Sequence, residues 1–175
     1  MRSLRLSLAA CAVVALLAPP VSAAPATPGD SVGGVGIRLS GNRIQYTVSV
    51  RGGPSAPTGS FLYRSIDFSL TFGGRATCFD IDGHQAAIGG WITHVESKDS
   101  GNQGLIGQAY LVFFEDNGTG SRGEAGPDVV SQTYILPADA ASVEVPEQFP
   151  AVCPDAAATA HDAFDVQGDF VVTDR

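Results

Sequence analysis

Val35-Gly36-Ile37-Arg38-Leu39-Ser40-Gly41-Asn42-Arg43-Ile44-Gln45-Tyr46-Thr47-Val48-Ser49-Val50 is the stretch that decides the fold class. Val35, Ile37 and Leu39 recur at every second residue, as do Ile44, Tyr46, Val48 and Val50. Ser40-Gly41-Asn42 separates the two runs with turn-forming residues. Alternate side chains of an extended chain share one face, so each run can bury one face and wet the other. The pair reads as an antiparallel hairpin.

The same signature continues downstream. Arg51 to Ser60 holds Pro54 and Pro57, which exclude a central strand, and reads as a loop. Ile66, Phe68, Leu70 and Phe72 alternate with Asp67, Ser69 and Thr71 and predict a half-buried strand. Gly73-Gly74 is expected to turn the chain into a strand from Arg75 to Asp82, with Thr77, Phe79 and Ile81 on one face. Gly83-His84 then turns it into a strand from Gln85 to Glu96, and Ser97 to Gly104 reads as a polar loop. Leu105 to Phe114 ends apolar on both faces, the pattern of a central strand covered on both sides. Further strands are expected over Val129–Leu136 and Asp169–Thr173, with a short one at Ser142–Val145 inside a proline-rich connection. Ala156 to Phe164, after Pro154-Asp155, has a helix start signal. The whole predicts an all-β chain, a single antiparallel β-sandwich or small barrel of seven to nine strands.

The N-terminus gives an address. Arg2 and Arg5 precede a short apolar run from Leu6 to Leu17, Pro19-Pro20 breaks it, and Val21-Ser22-Ala23 offers small residues for cleavage. This predicts a secretory signal peptide over residues 1–23, leaving 24–175 as a single secreted β domain. The run is too short for a membrane anchor, which needs about 18 apolar residues. Leu8-Ala9-Ala10-Cys11 has the form of a lipobox, but too few apolar residues precede Cys11. Removal of the leader leaves Cys78 and Cys153, neither in a metal-binding spacing, and export predicts that they form one disulfide. Closing so long a loop is worth roughly 4–4.5 kcal/mol on a chain-entropy argument.

Charge narrows the partners. The chain carries a formal net charge of −8. From Glu115 onward twelve acidic residues face only Arg122 and Arg175, whereas Ala24 to Phe114 is balanced. Such a surface repels phosphate backbones and anionic membranes, so neither nucleic acid nor membrane insertion after leader removal is expected. It suits plain solubility, a cation, or a basic partner.

Two constellations could carry chemistry. The segment from Glu115 to Asp128 gathers oxygen ligands on a glycine-rich loop, and Glu115, Asp116, Asn117 and Asp128 are candidate calcium ligands. The EF-hand spacing is absent, since Gly118 and Gly120 stand where ligands belong. The alternative is a solvated hairpin loop turned by Asn117-Gly118, whose Asn117-Gly118-Thr119 also matches a glycosylation sequon. Asp80, Asp82 and His84 alternate on one strand face, and paired carboxylates at such spacing serve glycoside hydrolysis. The alternative is the wet face of a half-exposed strand. His94 and His161 stand alone, and no metalloprotease, nucleophile-elbow or phosphate-loop motif occurs. Trp91 and the Phe and Tyr residues are expected in the core.

From Cys78 on, the chain resembles a group of secreted bacterial domains, many actinobacterial, mostly without an assigned activity. The shared pattern is Cys78, Gly83, Ala87-Ile88-Gly89-Gly90, Glu115-Asp116-Asn117-Gly118, Gly126-Pro127-Asp128, Cys153 and Gly168-Asp169-Phe170-Val171-Val172-Thr173-Asp174. The loop between Asn117 and Asp128 is longer here than in that group. The resemblance implies an extracellular β domain and supplies no catalytic role. The expectation is therefore a secreted, non-enzymatic binding or structural module that meets an extracellular protein or envelope partner and has no cofactor. The alternatives are a calcium-stabilised domain or a carboxylate-based hydrolase.

Overall fold

A computed structural model describes residues 29–38, 40–53, 56–118, 126–136, 149, 153–154, 156 and 163–175. The leader, the Ser142–Val145 strand and most of the Ala156–Phe164 stretch lie outside the described residues. Nine strands are present among those described: β1 Ser31–Arg38, β2 Ile44–Arg51, β3 Thr58–Ser65, β4 Leu70–Asp82, β5 Gln85–Ser97, β6 Ala109–Glu115, β7 Val129–Ser131, β8 Tyr134–Leu136 and β9 Ala163–Thr173. A short 3₁₀ turn, Ser100–Leu105, joins β5 to β6.

Every pairing is antiparallel and almost every strand pairs with its neighbour in sequence. The order runs β5-β4-β3-β2-β1-β9-β7-β6, and β6 also pairs with β5, so eight strands close on themselves with β8 as an extra strand on β6. Of the two expected architectures the described residues form the small barrel, with all nine strands in one sheet. Long strands that bend make closure feasible. β4 has register shifts at Gly73/Gly74 and at Ala76/Cys78, so the glycines expected to turn the chain instead bend a continuous strand. Gly74 and Gly90 also leave room for a ring: a Cβ on Gly74 would lie 2.8 Å from the Tyr110 ring, and one on Gly90 would lie 2.9 Å from its hydroxyl. The two-residue β4–β5 turn places Gly83 at φ 60°, a conformation glycine adopts without steric cost.

The barrel interior is filled. Tyr46, Phe61, Phe72, Tyr110, Phe114 and Phe170 are all under 2% exposed, with Val32, Val50, Ile88 and Ile92 between them. Phe61 stacks on Tyr110 at 5.1 Å between centroids and Phe114 meets Phe170 edge-on at 4.8 Å. β6 is buried on both faces, as its sequence predicts. Tyr110, Val112 and Phe114 point into the barrel, and Leu111 and Phe113 pack outside with Ala87, Tyr134 and Ala156.

Two expected boundaries move, since Thr58 to Ser60 of the expected loop open β3 and residues 105–108 of the expected strand precede β6, and three further expectations are corrected by tertiary context. Val35 is 45% exposed, because the inward face of β1 is the one holding Val32 and Gly36. Residues 66–69 form a turn rather than a strand, leaving Phe68 66% exposed. Local hydrogen bonding wins there: Asp67 accepts from the Arg43 backbone N–H at 2.7 Å and from its guanidinium, and Ser65 Oγ accepts from the Phe68 N–H. Ala163 and Phe164 belong to β9 rather than to a helix, paired with Ser131 and Val130.

Candidate functional site

The candidate calcium ligands sit where the barrel closes. β7 pairs with only three residues of β9, Ala163 to Asp165, and beyond them the N–H groups of β9 that point away from β1 need other acceptors. Asp128 and Asp116 supply them. Asp128 Oδ2 accepts from the Phe170 N–H and its Oδ1 from the Asn117 N–H at 3.0 Å. Asp116 Oδ2 accepts from the Val172 N–H at 3.0 Å and its Oδ1 from the Gly118 N–H at 2.8 Å. Two carboxylates thus stand in for a missing stretch of ladder. Asn117 holds the same corner through its side-chain amide, which donates to the Pro127 carbonyl at 2.9 Å.

Glu115 does not join them. Its carboxylate takes a hydrogen bond from the Gln85 amide at 3.3 Å and lies 3.6 Å from His84 Nε2 on the outer wall. Among the described residues no group of three His, Cys, Asp or Glu side chains is arranged to hold a metal. Asp128 is 5% exposed, and desolvation pushes its carboxyl above the ordinary carboxylate range. The hydrogen bonds from the Phe170 and Asn117 N–H groups oppose that rise, and the neighbouring charges of Asp116 and Asp169 add to it.

The Asp80–Asp82–His84 set is also put to structural use. Asp80 Oδ2 accepts from the Ala156 N–H at 2.9 Å, Asp82 is exposed, and His84 belongs to the β4–β5 turn beside Glu115. Two residues before Asp80, Cys78 is joined to Cys153 by a disulfide with Cα atoms 5.2 Å apart. Cys78 and Asp80 thus hold Cys153 and Ala156, the fixed points of a strap, against the outside of β5 and β6, and the Phe149 ring packs over Gly89. His94 pairs with Glu96 at 3.2 Å on the surface.

Trp91 is 44% exposed on the outer wall rather than in the core, because it shares its face with Arg75 and not with the inward Ile92. The outer wall also carries a cleft of about 320 Å³, between the 66–69 turn and the end of β5. Arg64, Thr71 and Glu96 are successive cross-strand partners on β3, β4 and β5, and Ser65, Ile66, Ser69, Ser97 and Lys98 complete the lining. Sequence reasoning did not find it, since Arg64 and Lys98 lie far apart in the chain. The signal available was that Lys98 is the single lysine of the protein. No family model, curated protein or solved structure matches the chain.

Proposed function

We propose that this chain is an exported, disulfide-tied β-barrel module that acts by binding at or outside the cell envelope, with its outer wall and not by catalysis. The observation that carries this reading is the filled interior: rings occupy the space in which a barrel would enclose a substrate. The carboxylates that suggested chemistry support it further. Asp80, Asp116 and Asp128 each accept backbone N–H groups, the work of a scaffold. The strap fastened by Cys78–Cys153 suits an oxidising exterior. The resemblance to secreted bacterial domains implies the same extracellular setting.

The test is fractionation of the producing cell combined with thiol labelling, followed by binding. The chain is expected in the medium or envelope fraction, shortened near Ala24, with no labelled thiol until reductant is added. Soluble envelope fragments are expected to shift amide resonances of outward-facing residues only. Recovery of the intact chain from the cytosol with both sulfurs reduced would overturn the reading, as would shifts confined to the barrel interior.

A further inference from the structure

We infer that the cleft between the 66–69 turn and the end of β5 binds an acidic saccharide, a sugar ring bearing a carboxylate or a phosphate. The inference rests on the binding-module reading and names its ligand class. At about 320 Å³ the cleft lies at the small end of ligand sites, the scale of one or two sugar rings.

Charge comes first. The chain is acidic, yet this cleft brings Arg64 and Lys98 together, and among the described residues neither makes an ion pair. Arg43, close by, is neutralised by Asp67 at 2.8 Å. Glu96, the one acid of the lining, lies 3.2 Å from the His94 ring, so the lining carries two cations against one carboxylate. Two cations without partners on a concave wall call for an anion.

The remaining lining suits a hydroxylated ring. Ser69 and Thr71 present hydroxyls with no side-chain hydrogen bond among the described residues. Ile66 lines the cleft and offers an apolar edge to the C–H face of a sugar.

Both walls are fixed before any ligand arrives. Asp67 clamps one turn to Arg43, while Ser97 Oγ accepts from the Asp99 N–H at 3.1 Å and the Asn102 amide at 2.8 Å in the other. Ser69, in the lining, is held at φ 50°, the one positive-φ position outside glycine among the described residues, at a backbone cost. A preformed cleft loses little entropy on binding.

The test is an amide NMR titration of the disulfide-intact protein with glucuronate, glucose 6-phosphate, glucose and inorganic phosphate. Either acidic sugar is expected to shift Arg64, Ser69, Thr71 and Lys98. Glucose, and phosphate alone, should bind at least about tenfold more weakly than the better acidic sugar. Arg64→Gln and Lys98→Gln should each weaken binding about tenfold, with unchanged melting. The cleft assignment is overturned if neither acidic sugar shifts those amides, if glucose binds equally well, or if phosphate alone matches glucose 6-phosphate. The same samples report on the sugar itself. Conversion of the sugar would overturn the module reading, whereas absent binding without conversion removes the cleft alone.

Discussion

Tyr110 carries its hydroxyl into the barrel, fully buried, with no hydrogen-bond partner among the described residues, and burial raises its pKa above the ordinary tyrosine value. An orphaned buried hydroxyl costs stability, so Tyr110→Phe is expected to raise unfolding free energy by about 1 kcal/mol in urea denaturation. A loss of stability would mean that the hydroxyl has a partner. Asp128 presents the opposite case. Its two oxygens serve two N–H groups, and an asparagine has only one acceptor oxygen, so Asp128→Asn should cost about 1–3 kcal/mol. Because folding raises the Asp128 pKa, its favourable contribution is complete below the unfolded value, about 3.9. That contribution declines as pH rises through the folded value. The stability gap between wild type and Asp128→Asn should therefore narrow from pH about 4 toward neutrality, and a widening gap would contradict this. Asp67, exposed and held below its usual range by the Arg43 backbone N–H and then its guanidinium, has the reverse sign and loses its contribution as pH falls.

Among the elements, Phe149, Cys153 and Ala156 pack in a cluster of their own, apart from the barrel interior. Cys78–Cys153 and the Asp80–Ala156 hydrogen bond hold the strap against one outer face, and neither lies in the interior. Replacing both cysteines by alanine should lower stability by about 2–4 kcal/mol. Amide exchange should then quicken first at Ala87, Leu111 and Phe113, ahead of Phe61 and Phe170 inside. Equal acceleration throughout would show the strap to be part of one cooperative unit. β7 and β8 are in effect one strand broken by a bulge. Val129 and Val130 pair with Glu115 and Phe114, and Tyr134 to Leu136 pair with Leu111 to Ala109, one residue out of step. The alternating Val129–Leu136 run announced that strand without its interruption. Leu105 to Phe114 likewise announced a doubly covered strand, which begins only at Ala109, because apolar residues on both faces have one economical solution. Ile66 and Phe68 misled for the converse reason: alternation is shared by strands and by turns whose polar residues bond locally, and Asp67 decided the matter through Arg43, which no local pattern reveals.

Taken whole, the barrel gathers acids at one end. The start of β1, the β4–β5 turn, the Asp116–Asp128 corner and the C-terminus meet there, bringing Asp30, Asp82, Asp116, Asp128 and Asp174 to the same rim. Asp30 and Asp174 accept the Arg175 and Gly83 N–H groups. Since the carboxylate oxygens of Asp116 and Asp128 face N–H donors, melting curves with calcium and with chelator should coincide; a rise of several degrees with calcium would restore the metal reading. The opposite end carries the cleft with Arg64 and Lys98. Period-2 alternation and glycine turns were enough for the sequence to determine an antiparallel all-β chain with a doubly buried β6, because these are consequences of backbone geometry within a few residues. Closure into a barrel, the use of Asp116 and Asp128 as ladder surrogates, and the placing of Arg64 and Lys98 along one cleft were decided only in three dimensions. Each depends on which N–H groups and charges from distant strands are left facing one another once the sheet curls, and that is a property of register, not of local pattern.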